Sequence, residues 1–249
     1  MNKGFVILAQ NTNKTDYVKC AEVLKSSILK VMPNASVTII TELPYGDQAP
    51  NSEWKLINDW QVYEASPYEY TIKLEADMFM PVNIDYWWDI LKHRDVVVSS
   101  CIRDYKGNIS TSRVYRQFLD INNLPDVYNA ITYFKKSDFA EQFFKTVRTI
   151  FENWDDFKTL LKCNNDEQAT TDWVYAIACH IHGVENTTLP FAAMSMVHMK
   201  PIINELKTDD WTKELIYEVN DDCLRVNTFV QQHLFHYHIK EFANELTRI

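Results

Sequence analysis

Glycine is nearly missing from this chain. Only Gly4, Gly46, Gly107 and Gly183 occur in 249 residues. They cannot build a G-x-G-x-x-G turn or a Walker-type phosphate loop, so glycine-rich backbone cradles for phosphate are excluded. A dinucleotide-binding Rossmann enzyme and a P-loop NTPase are therefore not expected. If the chain holds a diphosphate, something else must neutralise it, and a metal on acidic side chains is the available means. Cysteine is sparse and scattered: Cys20, Cys101, Cys163, Cys179 and Cys223 include no C-x-x-C pair. That odd, unpatterned set fits a reduced, cytoplasmic protein. Long apolar runs are also lacking. Phe5 to Ala9 is too short for the core of a signal peptide, and no stretch approaches the length of a membrane span. Positive charge is in the minority, with 25 Lys and Arg against 34 Asp and Glu, a formal net charge of -9. This argues against a wholly electrostatic nucleic-acid binder while leaving room for a local basic patch.

What is present is apolar mass. The composition is 46% hydrophobic and 13% aromatic, enough for one large core over residues 1–249. Phe5 to Ala9 reads as a buried strand. A helix is expected from about Asp16 to Met32, capped by Thr15, with Tyr17, Ala21, Leu24, Ile28 and Val31 on its apolar face. Val37 to Thr41 reads as a second strand, completing a βαβ unit of a parallel sheet. Ligands in such sheets bind at the carboxyl ends of the strands. That edge would gather Gln10 to Asn13, Thr41 to Glu42 and the acidic stretch described next.

The stretch Tyr70 to Pro81, YTIKLEADMFMP, starts as a strand and ends in Glu75 and Asp77. Residues i and i+2 of an extended chain point the same way, so the two carboxylates can share one divalent cation. Buried carboxylates are costly unless paired or metal-bound. The plainer alternative is a strand that ends in a polar turn.

The longer run Asn58 to Pro81, NDWQVYEASPYEYTIKLEADMFMP, resembles the segment that carries the DxD motif in GT-A-fold, nucleotide-sugar-dependent glycosyltransferases. The likeness is to family-8-like enzymes of glycogenin and galactosyltransferase type, and to small bacteriophage-encoded glycosyltransferases. Glu75 stands at the first Asp of the motif, keeping its charge and adding a methylene. The resemblance implies a single GT-A-like α/β domain, with a mixed, mostly parallel sheet flanked by helices. It implies transfer of a hexose or pentose from a nucleotide-diphosphate sugar to a hydroxyl on a glycan or small molecule, with Mn²⁺ or Mg²⁺ as cofactor. Glu75 and Asp77 would hold the metal. So would a C-terminal His, with a downstream Lys on the diphosphate. His236 and Lys240 fit that order, and His198 with Lys200 competes with them. Asn11 and Thr12, after the first strand, are candidates for the nucleotide. Asn129, in NAITYF, is a candidate for the donor sugar, although Ile131 replaces the expected Gly. Asp166 and Glu167 match the acidic pair near the reacting centre, at the start of a helix expected to run to about His182. The resemblance leaves inversion or retention open.

Other readings come from the rest of the chain. Glu53 to Ala65 reads as a helix with Trp54, Ile57 and Trp60 facing inward. Asp95 to Ser100 and Leu189 to Val197 read as strands, and Ser137 to Phe151 as a helix. Arg103, Lys106, Arg113 and Arg116 gather with Tyr105 and Tyr115 in one basic-aromatic stretch. That stretch would suit a phosphate-bearing acceptor, such as a hydroxymethylated base in DNA modified by a phage enzyme acting in the host cytoplasm. It equally suits an ordinary surface loop. A third reading, from Glu75 and Ile131, is a non-catalytic nucleotide-sugar-binding protein.

Overall fold

The structure is a computed structural model, and it describes residues 2–162, 168–190, 193–220 and 223–247. The first strand, β1 (Lys3–Leu8), is buried along its middle and lies between two partners. Val6 and Ile7 are fully enclosed, as a central strand covered on both faces requires. It pairs in parallel with β2 (Val37–Ile40) and with β3 (Tyr70–Leu74). β7 (Tyr128–Lys135) then runs antiparallel between β3 and β5 (Val96–Ser99). The sheet order is therefore β2-β1-β3-β7-β5.

The helix Tyr17–Val31 supplies the crossover between β1 and β2. Asp16, not Thr15, caps it: its Oδ1 accepts the Lys19 N–H at 3.0 Å. Thr15 instead donates its N–H to Thr12 Oγ1 at 3.1 Å. The helix lays Ala21, Leu24 and Ile28 into the core beside Phe5, Ile72 and Leu74. On the opposite side of the sheet, the helix Asp138–Glu152 brings Phe143, Phe144, Val147 and Ile150 against Val96, Val98 and Phe134. Ser137 caps that helix, accepting the Ala140 N–H. The chain is thus α/β, with mixed pairing and helices on both faces, in agreement with the class read from the sequence.

A second sheet extends the first. Its order is β4-β12-β8-β6, formed by β4 (Met78–Phe79), β12 (Leu234–His236), β8 (Ser195–His198) and β6 (Cys101–Arg103). β12 runs antiparallel to β4, with His236 opposite Met78, and parallel to β8, with His236 opposite His198. This register carries the C-terminal part of the chain to the end of β3. A small antiparallel sheet joins β9 (Tyr217–Asn220), β10 (Cys223–Val226) and β11 (Phe229–Val230).

Three expected elements differ. The segment expected as one helix over 53–65 does not coil until Leu56, where a 3-10 helix Leu56–Gln61 leads into the short helix Val62–Ala65. Lys55 sits at φ 45, in the left-handed region that stops a right-handed helix from extending backwards. Trp54 consequently lies 65% exposed instead of inward. The helix ending at His182 begins at Thr171, capped by Thr170. The strand expected over 189–197 is regular only as Ser195–His198.

Candidate active site

The carboxyl ends of β1 and β3 and the start of β7 share one edge of the main sheet. There the Glu75 N–H donates to the Ala130 carbonyl at 3.1 Å, holding the chain extended one residue past β3. Beyond it, the Tyr237 N–H donates to the Asp77 carbonyl at 3.2 Å, so the two sheets meet at Asp77. A cavity of about 530 Å³ opens at this edge. Glu75, Asp77, His198, His236, His238 and Lys240 line one wall, and Arg116, Thr171, Asp172 and Trp173 line another.

Glu75, Asp77 and His236 converge. One ligand atom from each lies within 4.8 Å of the others. His236 Nε2 is 2.9 Å from Asp77 Oδ2 and 3.5 Å from Glu75 Oε2. Lys240 Nζ donates to the same Asp77 Oδ2 at 2.6 Å and to the His238 carbonyl at 3.1 Å. Burial alone would raise the Asp77 carboxyl, but His236 and Lys240 outweigh it and hold it well below the usual range. Burial pushes Glu75 up, against the downward pull of His236 and Lys73. Desolvation would lower the Lys240 ammonium, yet Asp77 keeps it above its ordinary value.

The histidines form a stack. The rings of His198 and His236 lie 4.6 Å apart and 22° from parallel, with His238 edge-on to both. Burial, with positive neighbours at His236 and Lys200, holds His198 far below its ordinary value. Nδ1 of His236 is buried without a hydrogen-bond partner among the described residues. Its other ring nitrogen, Nε2, is the one that faces Asp77 and Glu75.

The donor set fits a divalent metal ion. Two carboxylates and one imidazole, facing a common point, are the hard and borderline ligands that Mn²⁺ and Mg²⁺ accept. Lys240 competes with the ion for Asp77 Oδ2. His198 lies against this group without joining it.

The other wall is an ion-pair lattice. Arg116 donates from Nε to Asp126 Oδ1 and from Nη1 to Asp172 Oδ2, each at 2.6 Å, and its guanidinium lies 4.2 Å over the Tyr128 ring. Asp172 Oδ1 accepts the Asn129 N–H at 2.9 Å. Also in the cavity lining, Lys73, 2% exposed, pairs with Asp59 Oδ1 at 2.7 Å. Asp59 Oδ2 also accepts from the Tyr175 hydroxyl at 2.6 Å and the Asn129 amide at 3.1 Å.

Several sequence-derived roles meet a different geometry. Asn129 is fully buried, and its amide is spent on Asp59 and Thr132. It does not line the cavity, whereas its neighbour Ala130 does. Strand β7 lies between β3 and β5 and is buried from Tyr128 to Phe134. Asn11 and Thr12 do not line the cavity. Asn11 Oδ1 accepts the Val18 N–H at 2.9 Å, and Thr12 Oγ1 accepts from Lys14 and Thr15. Gln10 and Tyr17, flanking them, do line it. Asp166 and Glu167 lie outside the described residues.

The basic-aromatic stretch is not an open cationic surface. Arg113 pairs with Asp120 and Asp126, while Arg116 is buried in the lattice just described. Arg103 donates to Ser195 Oγ at 3.2 Å and to the Gly107 carbonyl at 2.7 Å. Lys106 is exposed above the Tyr105 ring, and Arg113 is exposed but paired. The neutralising acids come from 7 to 56 positions away in sequence, which a tally of positive charge overlooks. The same oversight concealed Asp172, whose first-turn position in an amphipathic helix resembles any acid at a helix start.

No protein-family model matches the chain, and no curated protein matches it. Similar solved structures exist. Mouse xyloside xylosyltransferase 1, in its apo form, is 9% identical, covering 95% of this chain and 97% of that one, with a TM-score of 0.48. An active-site mutant of LgtC is 11% identical, covering 98% of this chain and 95% of that one, with a TM-score of 0.49. The glycosyltransferase GlyE of Streptococcus pneumoniae is 7% identical, covering 75% of this chain but 45% of that one, with a TM-score of 0.42. No helix among the described residues is long and apolar enough to cross a membrane.

Proposed function

We propose that this chain is a metal-dependent glycosyltransferase that moves a hexose or pentose from a nucleoside-diphosphate sugar to a hydroxyl of a glycan or small molecule. One observation carries the reading. Glu75 and Asp77 meet His236 and Lys240, distant from them in sequence, at the strand end bordering the cavity. Glu75 and Asp77 lie in the stretch that resembles a DxD segment.

In this reading, Glu75, Asp77 and His236 hold Mn²⁺ or Mg²⁺. The ion neutralises charge that develops on the leaving diphosphate when bound. Lys240, already charged and beside Asp77, turns its ammonium to a phosphate oxygen and adds a second positive contact. The Asp77 carboxylate stays ionised because His236 and Lys240 favour that form. Asp172, anchored by Arg116 and the Asn129 N–H, presents a fixed carboxylate edge to the sugar hydroxyls.

The test is turnover. Purified protein is incubated with Mn²⁺ and a panel of nucleoside-diphosphate sugars, and release of the nucleoside diphosphate is followed by chromatography. One donor is expected to be consumed, with loss of at least about a hundredfold in Asp77→Asn, comparable to removal of a principal charge-stabilising group. Turnover unchanged in Asp77→Asn, or insensitive to chelator, contradicts the reading.

A further inference from the structure

Trp54 is a large apolar side chain left 65% exposed while lining the cavity of the candidate site. Among the described residues it stacks on no ring, and its indole N–H has no hydrogen-bond partner. It is nonetheless held firmly. The next residue, Lys55, adopts φ 45 and ψ 22, a left-handed conformation that non-glycine residues keep only when their surroundings enforce it. The enforcement is visible: the Lys55 ammonium pairs with Asp47 and donates to the carbonyls of Ala49 and Pro50, each at 3.0 Å. On either side the segment is tied to the loop after β1. Glu53 pairs with Lys14 at 2.9 Å, and the Asn58 amide donates to Gln10 Oε1 at 2.8 Å.

We propose that Trp54 is the stacking platform for the nucleobase of the donor. This rests on the function proposed above and names the part of the donor that this rim recognises. Three features favour a base over an acceptor sugar. The rim is built from the segments that follow β1 and β2, the carboxyl ends of the parallel strands, where nucleotides lie in open α/β sheets. The phosphate end of a donor is fixed by Glu75, Asp77, His236 and Lys240. The wall carrying Trp173, Asp172 and Arg116 is then left for the sugar and its acceptor. An exposed indole face is suited to a flat, polarisable ring, and ordering its backbone costs little because the loop is already set. Stacking of this kind tolerates any base, so the platform fixes the base plane and leaves base identity to polar neighbours such as Gln10.

Isothermal titration tests this with the 5′-diphosphates of uridine, guanosine, adenosine and cytidine, and with inorganic pyrophosphate, all with Mn²⁺. Loss of a base–aromatic stack weakens binding roughly tenfold to a hundredfold. Trp54→Ala is expected to lose that much affinity for the nucleoside diphosphate bound by the wild type, with pyrophosphate affinity within about twofold. Trp54→Phe is expected to keep most of the nucleotide affinity. The proposal is overturned if Trp54→Ala binds the nucleotide as the wild type does, or weakens nucleotide and pyrophosphate alike. It is also overturned if the substitution raises only the KM for acceptor, which would place Trp54 on the acceptor side. A folded wild type that binds none of the four diphosphates overturns the donor reading itself, a result distinct from an indifferent Trp54→Ala.

Discussion

Removing the Asp59 carboxylate strands a buried charge, and the cost can be worked from its partners. Lys73 is 2% exposed and pairs with Asp59 at 2.7 Å; it also donates to the Asn129 carbonyl at 3.2 Å. In Asp59→Ala the ammonium keeps only that carbonyl. Tyr175 and the Asn129 amide lose their shared acceptor as well. Breaking a buried pair by deleting one partner costs about 3–5 kcal/mol. Chemical denaturation followed by circular dichroism should show a loss of that size, a large share of the stability of an ordinary domain. Adding Lys73→Met removes the stranded charge and fills the same space with an apolar chain. The double variant should recover about 2 kcal/mol, with the rest retained because Tyr175 and Asn129 still lack an acceptor, at about 1 kcal/mol each. A double variant no more stable than Asp59→Ala would refute the reasoning, as would a single-variant loss under about 1 kcal/mol.

Two further outcomes are expected. Burial, aided by His236, Lys240 and Lys200, pushes His238 down to about 4 from an ordinary 6.5. Below pH 6.5 the unfolded chain therefore takes up a proton that the folded chain refuses. Stability is full above that point and falls as pH drops toward 4, by up to about 1.4 kcal/mol per pH unit. With chelator present, the denaturation midpoint of His238→Asn should fall less between pH 7 and pH 5 than that of the wild type; asparagine tolerates the left-handed backbone of residue 238. Equal slopes would contradict the assignment. Separately, a Cβ at Gly4 runs into the ring of Tyr68, whose hydroxyl is bonded to Thr38 at 2.7 Å and resists displacement. Gly4→Ala should lower stability by about 1–3 kcal/mol, with partial rescue by Tyr68→Ala; an unchanged melting temperature would argue against that contact.

Much of this arrangement could be read from local pattern. Alternation along β3 placed Glu75 and Asp77 on one side, and the βαβ order placed them at the edge with Gln10. The order of His236 and Lys240 after an aromatic strand was legible through resemblance, and β12 does bring both beside Asp77. What stayed hidden depends on partners distant in sequence or on backbone conformation. Asn129 looked available because a strand's alternation does not reveal that β7 has a neighbour on each edge and helices on its faces. Arg113 and Arg116 looked like a basic surface because Asp120, Asp126 and Asp172 reach them only through the fold. Trp54 fitted an inward helical stripe; the left-handed turn at Lys55, set by Asp47 and two carbonyls, turns it to the cavity mouth. The caps were misplaced by one residue at Asp16 because Thr15 and Asp16 are both good caps, and tertiary contacts of the loop decide between them.

The most direct test of the central claim is a thermal melt with each nucleoside diphosphate, in Mn²⁺ and in chelator. A ligand at one hundred times its Kd stabilises the folded state by about 2.7 kcal/mol. For a chain of this size that corresponds to a rise in Tm of roughly 5–10 °C. The account predicts such a rise for a nucleoside diphosphate in Mn²⁺, its disappearance in chelator, and its absence in Asp77→Ala. A shift of equal size without metal, or none with any nucleotide, would contradict it.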